Sequence, residues 1–184
     1  MSSAALAQKM HAPQWVASDS VFTPGFYKPY EAAAQTALLM LCAARSKMND
    51  IDGSDAVRAM TFRLKSPGSI RDKLEKKSLP VSQATACAAL HDIAGLRVVL
   101  SDVGAVYRFA EMIRSTPVAE FVAVRDYIAS PKPSGYRSLH LLMLVPVHLR
   151  GQGYMVPVEI QLRTASMDIW ASVEHDICYK PARV

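Results

Sequence analysis

The sequence predicts an α+β domain in which a mixed sheet of five strands is flanked by helices. Two observations predict this fold class. Segments typical of helices and strands follow in the order helix, strand, helix, helix, strand, helix, three strands and helix, which a mixed sheet with packed helices accommodates. The chain has 184 residues, of which 51% are hydrophobic and 20% charged, and this composition is sufficient for one buried core.

The first half of the chain contains two of the predicted strands. Residues 1–25 have no clear period and predict an N-terminal arm, extended or a short helix, whereas residues 26–184 predict a single domain. Ser66 and Pro67 are typical of an N-cap and a first helical residue. The predicted elements are a helix over 30–48, a turn over 49–55, a strand over 59–65, helices over 68–77 and 82–90, and a strand over 93–100.

The second half carries the other three strands between two helices. Residues 102–115 have apolar side chains at helical spacing. Gly151 and Gly153 lie between the last two strand-like segments and indicate a hairpin. Thr164 is the candidate N-cap of the final helix. The predicted elements are a helix over 102–115, strands over 120–128, 136–147 and 154–163, and a helix over 164–179.

Charge and cysteine content narrow the class of protein. The net charge of +5 favours an anionic partner, which is a nucleotide, a nucleic acid or an acidic lipid. Cys42, Cys87 and Cys178 are far apart, so we expect neither a disulfide framework nor a zinc site. The chain shows no signal-peptide pattern, and its longest apolar stretch, 32–44, is too short to span a bilayer. We therefore expect a cytoplasmic protein.

The strand over 59–65 and the following helix form a basic segment. Strand alternation places Arg63 and Lys65 on one face, and Ser69 and Lys73 lie on one side of the helix at i and i+4. The free backbone N–H groups at the start of that helix also attract anions. The segment therefore suits a phosphate chain, although a solvated basic helix beside a strand edge explains the same residues equally well.

The strand over 154–163 has an apolar face and a polar face. Glu159, Gln161 and Arg163 form the polar face, and burying them without partners would be costly. Taken alone, this pattern is usually a strand with one face in water. The Pro- and Gly-containing loop before the preceding strand adds Lys132 and Tyr136, an ammonium and a ring that suit phosphates and a stacked base.

Asp92 precedes the strand that contains Arg97. This carboxylate has three interpretations: a helix cap, a partner for an arginine, or a Mg²⁺ ligand together with Glu159. Strict alternation places Asp92 and Arg97 on opposite faces of the strand. A bulge at Gly95 would remove that conflict.

Together these segments resemble the synthetase domain of the RelA/SpoT homologue family, in particular the small, stand-alone alarmone synthetases. The matching stretches are 63–74, 92–97, 126–140 and 158–164, and the resemblance covers residues 26–180. It implies a fold related to nucleotidyltransferases. It also implies a reaction in which the 3′-hydroxyl of GDP or GTP attacks the β-phosphorus of ATP, giving AMP and (p)ppGpp.

The resemblance also assigns roles to residues. It implies that Arg63 and Arg97 sandwich adenine and that the ATP phosphates are held by Lys65, Ser69 and Lys73. Asp92 and Glu159 would bind Mg²⁺, with Glu159 helping to remove the proton of the attacking hydroxyl. On the acceptor side, Tyr136 would stack on guanine and Lys132 would face the phosphates. Three more residues would complete the GDP/GTP side: His140, Gln161 and Arg163.

Some positions depart from the family pattern. Ser134 stands where many relatives have Asn, which leaves the contact with the guanine edge open. Ala123 stands where many relatives have a second basic residue, which leaves the GDP or GTP preference open. The His-Asp pairs at 91–92 and 175–176 are typical of metal-dependent phosphohydrolases, but a chance occurrence explains them better. Similar small synthetases build a homo-tetramer with further helices, so the oligomeric state is open. The alternative functions are transfer to the 3′ end of tRNA, synthesis of (p)ppApp, and non-catalytic nucleotide binding.

Overall fold

The computed structural model describes residues 22–52 and 56–179. Most of the predicted arm over 1–25, namely 1–21, and part of the predicted turn, 53–55, lie outside these residues. No helix in the described ranges is both long and apolar enough to cross a membrane. The elements, in chain order, are α1 (Pro24–Asp52), β1 (Val57–Leu64), α2 (Pro67–Glu75), α3 (Gln83–Ala89), β2 (Ala94–Leu100), α4 (Val103–Arg114), β3 (Glu120–Asp126), β4 (Leu139–Leu149), β5 (Gln152–Thr164) and α5 (Ala165–Tyr179).

The strands form one five-stranded sheet in the order β1-β2-β5-β4-β3. Strands β2 and β5 are parallel and the other neighbours are antiparallel, so the predicted mixed sheet is confirmed. Helices α1 and α4 pack on the apolar face and bury it in the core. The central strands contribute side chains that are at most 1% exposed: Leu96, Val98, Leu141, Met143, Val158, Ile160 and Leu162.

Helix α1 is longer at both ends than the sequence predicted. It begins at Pro24, and Pro29 lies inside it. Proline has no backbone N–H, but the carbonyl that loses a partner belongs to Gly25, which is exposed. Phe26 and Tyr30, only 1% and 2% exposed, anchor this first part of the helix in the core. Packing of these two rings therefore extends the helix beyond the Ala-rich segment.

The predicted boundaries around the loop between β3 and β4 were wrong. Strand β3 ends at Asp126 because its carboxylate accepts hydrogen bonds, each 2.9 Å, from the backbone N–H groups of Ile128 and Ala129. Strand β4 begins at Leu139 instead of 136. The loop turns at Gly135, whose φ of 82° is accessible to glycine.

The predicted hairpin between β4 and β5 is confirmed, but Gly153 is not in its turn. Leu149 pairs with Gln152, which leaves Arg150 and Gly151 as a two-residue turn. Both have positive φ, 52° and 80°, as a type I′ turn requires. Gly153 lies in β5 opposite His148.

Candidate active site

The sheet face that α1 and α4 leave open carries a cavity of about 910 Å³. A row of paired residues crosses its floor: Arg97 pairs with Gln161, Gln161 with His140, and His140 with Arg125. Paired residues project to the same side of a sheet, so the row directs polar groups into the cavity. Every site residue predicted from the sequence lines this cavity: Arg63, Lys65, Ser69, Lys73, Asp92, Arg97, Lys132, Tyr136, His140, Glu159, Gln161 and Arg163.

The start of α2 lies at the basic wall of the cavity. Ser66 is the N-cap, as predicted, and its hydroxyl accepts a hydrogen bond of 3.2 Å from the backbone N–H of Ser69. Lys73 lies one turn further along and lines the cavity with Ser69. The cations at the end of β1 and the side chains of α2 therefore line the same cavity, as the sequence predicted.

Asp92 is held by two lysines. Its Oδ2 lies 2.9 Å from the Nζ of Lys65 and 2.6 Å from the Nζ of Lys73. Burial raises the pKa of this carboxyl, but the two ammonium groups lower it more, to about 2. Asp92 is therefore an anion at neutral pH.

The expectation that Asp92 and Arg97 lie on opposite faces of the strand was wrong, because Asp92 does not belong to the strand. Strand β2 begins at Ala94, so alternation does not apply at Asp92. The register from Ala94 to Leu100 is continuous against β5, so no bulge is present at Gly95. Asp92 reaches the cavity from the segment before the strand, and Arg97 reaches it from the strand.

Glu159 is surrounded by hydrogen-bond donors. Its carboxylate lies 3.2 Å from Nδ1 of His140 and accepts a bond of 2.7 Å from Nε2 of Gln161. Burial raises the pKa of Glu159, but the bond and charge of His140 and the bond from Gln161 outweigh it, so the pKa is lowered. Glu159 is thus also held as an anion.

His140 connects Glu159 to Tyr136 through its two ring nitrogens. Nη2 of Arg163 donates to the hydroxyl of Tyr136 at 2.7 Å, and that hydroxyl lies 2.8 Å from Nε2 of His140. Because the carboxylate of Glu159 only accepts hydrogen bonds, the hydrogen between it and His140 belongs to Nδ1. Nδ1 of His140 therefore donates to Glu159.

Arg163 is the centre of this network. Its side chain is 4% exposed, and besides Tyr136 it donates to Ser138 at 3.4 Å, Gln161 at 2.8 Å and Asp168 at 2.9 Å. Since most of its N–H groups are committed to protein partners, Arg163 organises the cavity wall. This burial was not apparent from the sequence, which indicated only that Arg163 lies on the polar face of its strand.

Sequence reasoning missed Arg125 and Tyr127, which line the cavity, and Asp168, which contacts two of the cavity's arginines. Arg125 lies in the polar row, and Tyr127 packs its ring against Tyr136 and His140. The two-residue period of β3 could have indicated Arg125. Arg125 follows Ala123 by two residues and so lies on the same face, and Ala123 stands where many relatives have a basic residue. Asp168 contacts two arginines from the first turn of α5, and no local pattern indicated that contact.

Other sequence candidates lie outside this arrangement. Ser134 is exposed in the loop and does not line the cavity. His91 lines a much smaller neighbouring cavity of about 40 Å³. The side chains of His175 and Asp176 lie outside the described residues. Within the described ranges, no cluster of three His, Cys, Asp or Glu residues is arranged to hold a metal ion.

The fold and the site have the features expected of a phosphate-binding protein. Lysines and arginines from β1, α2 and β2 surround two anionic carboxylates above a mixed sheet, beside a helix N-terminus. Residues 62–183 match the family model described as "Region found in RelA / SpoT proteins". The chain belongs to the RelA/SpoT family, as the resemblance of its motifs predicted.

The relatives of the chain are named as enzymes of this family. It is 40% identical to GTP pyrophosphokinase YwaC of Bacillus subtilis over 132 residues, 72% of this chain and 63% of YwaC, so it spans less than two thirds of that relative. It is 36% identical to GTP pyrophosphokinase YjbM of the same organism, over 84% of this chain and 72% of YjbM. The crystal structure of B. subtilis small alarmone synthetase 1 bound to its product pppGpp superposes with a TM-score of 0.76 at 35% identity, covering 84% of this chain and 79% of the other.

Proposed function

We propose that this chain is a (p)ppGpp synthetase that transfers diphosphate from ATP to the 3′-hydroxyl of GDP or GTP and releases AMP. The observation that carries the proposal is the convergence of Asp92, Glu159 and the phosphate-facing cations on one cavity. The names of YwaC and YjbM and the product bound to small alarmone synthetase 1 support it. Since these substrates are cytoplasmic nucleotides, we place the reaction in the cytoplasm.

The basic wall is the ATP side in this proposal. Lys65, Lys73 and the hydroxyl of Ser69 bind the phosphates, since they combine two ammonium groups with a hydroxyl in the first turn of α2. Arg63 and Arg97 hold adenine between planar guanidinium groups. Both lysines are bonded to Asp92, so on binding the ATP phosphates replace the Asp92 carboxylate as their partner.

The opposite side of the cavity binds the acceptor. Tyr136 stacks on guanine and Lys132 neutralises the acceptor phosphates. His140 and Gln161 hold the carboxylate of Glu159 in place through the two hydrogen bonds that it accepts. Arg163 fixes the hydroxyl of Tyr136, so its part in acceptor binding is indirect.

The chemistry of the two carboxylates fits Mg²⁺. Oδ1 of Asp92 is buried and has no hydrogen-bond partner among the described residues, and Glu159 lines the same cavity. Magnesium prefers hard oxygen ligands and commonly takes one or two carboxylates together with substrate phosphates. We propose that Asp92 and Glu159 hold it. When bound, Mg²⁺ neutralises charge on the transferred diphosphate.

The protein contributes position and charge to the transfer. Glu159 accepts the proton of the 3′-hydroxyl, whose oxygen forms a bond to the β-phosphorus of ATP. The bond from that phosphorus to the oxygen bridging to the α-phosphorus breaks, and AMP leaves with the bridging oxygen. Lys65 and Lys73 stabilise charge on the moving phosphates, as phosphoryl-type transfer requires.

Acceptor preference tests the proposal directly. The purified protein is incubated with Mg²⁺ and ATP labelled on the γ-phosphate, with GDP, GTP, ATP and deacylated tRNA offered separately. We expect label on GDP or GTP, and no transfer in EDTA. Label only on tRNA would replace the proposal with a toxin-type activity, and label only in (p)ppApp would replace it with transfer to an adenine nucleotide. No label on any acceptor would favour a nucleotide-binding module.

A matched variant controls for indirect effects. Glu111→Gln removes the carboxylate of an exposed ion pair with Arg114 on α4, the helix that packs on the sheet face opposite the cavity. Exposed pairs of this kind contribute little to stability. We expect this variant to transfer label at the rate of the unaltered protein, whereas Glu159→Gln does not.

A further inference from the structure

Asp168 bridges two arginines on neighbouring parallel strands. Its Oδ1 lies 2.9 Å from Nη1 of Arg163 on β5 and 3.3 Å from Nη1 of Arg97 on β2. The register pairs Val99 with Arg163, so the two arginines lie on the same face, two residues apart along neighbouring strands. Arg97 and Arg163 carry like charges, and the carboxylate placed between them offsets their repulsion.

The two arginines belong to different halves of the cavity. In the proposed function, Arg97 contacts the adenine of ATP. Arg163 is buried and donates to the hydroxyl of Tyr136, the residue proposed to stack on guanine. A continuous series of direct contacts therefore runs from Arg97 through Asp168 and Arg163 to Tyr136. Asp168 is the contact that both halves share.

We propose that Asp168 is a positioning residue that holds Arg97 and Arg163 in one cluster. It thereby fixes the positions of side chains in both the ATP-binding half and the acceptor-binding half of the site. The assignment of halves rests on the proposed function. The role itself is one of geometry and charge balance, because Asp168 does not line the cavity but contacts the two arginines that do. Its location in the first turn of α5 adds a second reason for a carboxylate, since the helix N-terminus favours negative charge.

The test measures binding without turnover. The probes are α,β-methylene-ATP and GDP, titrated separately by calorimetry into the unaltered protein and the Asp168→Asn variant. Loss of one charge-assisted contact to each arginine predicts that both dissociation constants rise about tenfold. Glu111→Gln, which removes a carboxylate from an exposed pair, is the control and should leave both constants unchanged.

A double variant checks that Asp168 acts on ATP through Arg97. In the Arg97→Gln background, Asp168→Asn should weaken binding of α,β-methylene-ATP no further, while it still weakens binding of GDP. Non-additivity of this kind reports direct coupling between the two residues. A full further loss of analogue affinity in the double variant would overturn the proposed route through Arg97.

A merely structural role predicts a different result. Removing the counter-ion of a buried arginine would then lower the fraction of folded protein, which reduces the number of binding sites and kcat but leaves both dissociation constants and KM values unchanged. That result, or a change for only one nucleotide, would overturn the proposal. If Asp168→Asn does not fold, Asp168→Glu keeps the charge but displaces it, and both constants should still rise several-fold; no change in either would overturn the proposal.

These readouts are separate from the proposed activity. If the unaltered protein binds both nucleotides but transfers no diphosphate, the proposed function fails while the roles of Asp168, Arg97 and Arg163 remain measurable. If it transfers diphosphate and Asp168→Asn binds both nucleotides normally, the positioning role fails and the activity stands.

Discussion

The ammonium group of Lys132 lies over the ring of Tyr136, with Nζ 4.5 Å from the ring centroid. The same ammonium is 4.9 Å from the ring of Tyr127, and the guanidinium of Arg163 lies 5.2 Å from the Tyr136 centroid. Tyr136 is therefore only 7% exposed. A base can stack on this ring only after a neighbour moves, and Lys132 is the exposed neighbour. Its movement would also bring its charge towards acceptor phosphates.

We predict that Tyr136→Ala weakens GDP binding ten- to hundredfold, on the order of the 1–3 kcal/mol that base stacking contributes. The affinity for α,β-methylene-ATP should change little, because the basic wall does not include Tyr136. Calorimetric titration with each nucleotide measures both effects. Tyr136→Phe, which keeps the ring but removes the hydroxyl bonded to Arg163, is the matched control and should bind GDP better than the alanine variant. An unchanged GDP affinity in Tyr136→Ala would refute the stacking role.

Glu159→Gln should abolish transfer while largely retaining nucleotide binding. The amide keeps the shape of the side chain but neither accepts the hydroxyl proton as a base nor offers an anionic ligand to Mg²⁺. We expect kcat to fall by about 10² to 10⁴, the usual contribution of a positioned base. Single-turnover transfer and calorimetry on the same preparation separate the two effects. Full activity in this variant would remove Glu159 from the mechanism.

Gly95 should be sensitive to side-chain size because it lies between two residues that line the cavity. It pairs with Arg63 on one side and Glu159 on the other. An added Cβ would lie 3.9 Å from the carbonyl of Glu159 and 4.0 Å from that of Arg63, an ordinary contact distance. Gly95→Ala should therefore bind nucleotide normally.

Gly95→Val should behave differently from the alanine control. Its larger side chain would project between Arg63 and Glu159, where we expect ATP to bind. Valine suits a strand, so the fold should be retained. We predict that the affinity for α,β-methylene-ATP falls at least tenfold, by analogy with the cost of misplacing one bound group. The unfolding temperature should be unchanged. Equal binding by the Ala and Val variants would show that this space is not used.

The ion pairs of Asp92 predict a pH dependence of stability in the metal-free protein. The pKa of Asp92 is lowered from 3.8 to about 2 on folding, so the stabilisation is complete above pH 4 and is lost as the pH falls towards 2. In EDTA at pH 5, Asp92→Asn should lower the free energy of unfolding by about 2 kcal/mol. Urea unfolding at several pH values should show this difference shrinking below pH 4. A difference of constant size down to pH 2 would contradict the assignment.

Features that depend on neighbouring residues were predictable from the sequence. Ser66 caps α2 because its hydroxyl needs only the backbone N–H three residues on. The polar face of β5, with Glu159 and Gln161, follows from the two-residue period of a strand. The same period failed for Asp92, which lies before β2, and for Tyr136, which lies in the loop before β4.

Contacts between distant segments were not predictable in the same way. The sequence indicated that Arg163 was polar and faced the cavity, but not that its guanidinium was buried and bonded to Ser138, Tyr136 and Asp168. These partners come from a loop and a helix on either side of β5 in the chain. Asp168 had no signal at all, because a carboxylate in a first helical turn is common for local reasons.

The sequence by itself determined the order of the elements, the apolar faces of the strands and the chemical types of the groups facing the cavity, because periodicity and capping act over a few residues. Only the tertiary structure decided which charges meet. Pairing of β2 with β5 brings Arg97 beside Arg163, and the position of α5 places Asp168 between them. Electrostatic interactions depend on distance in space and on burial, and both are set only when the sheet assembles.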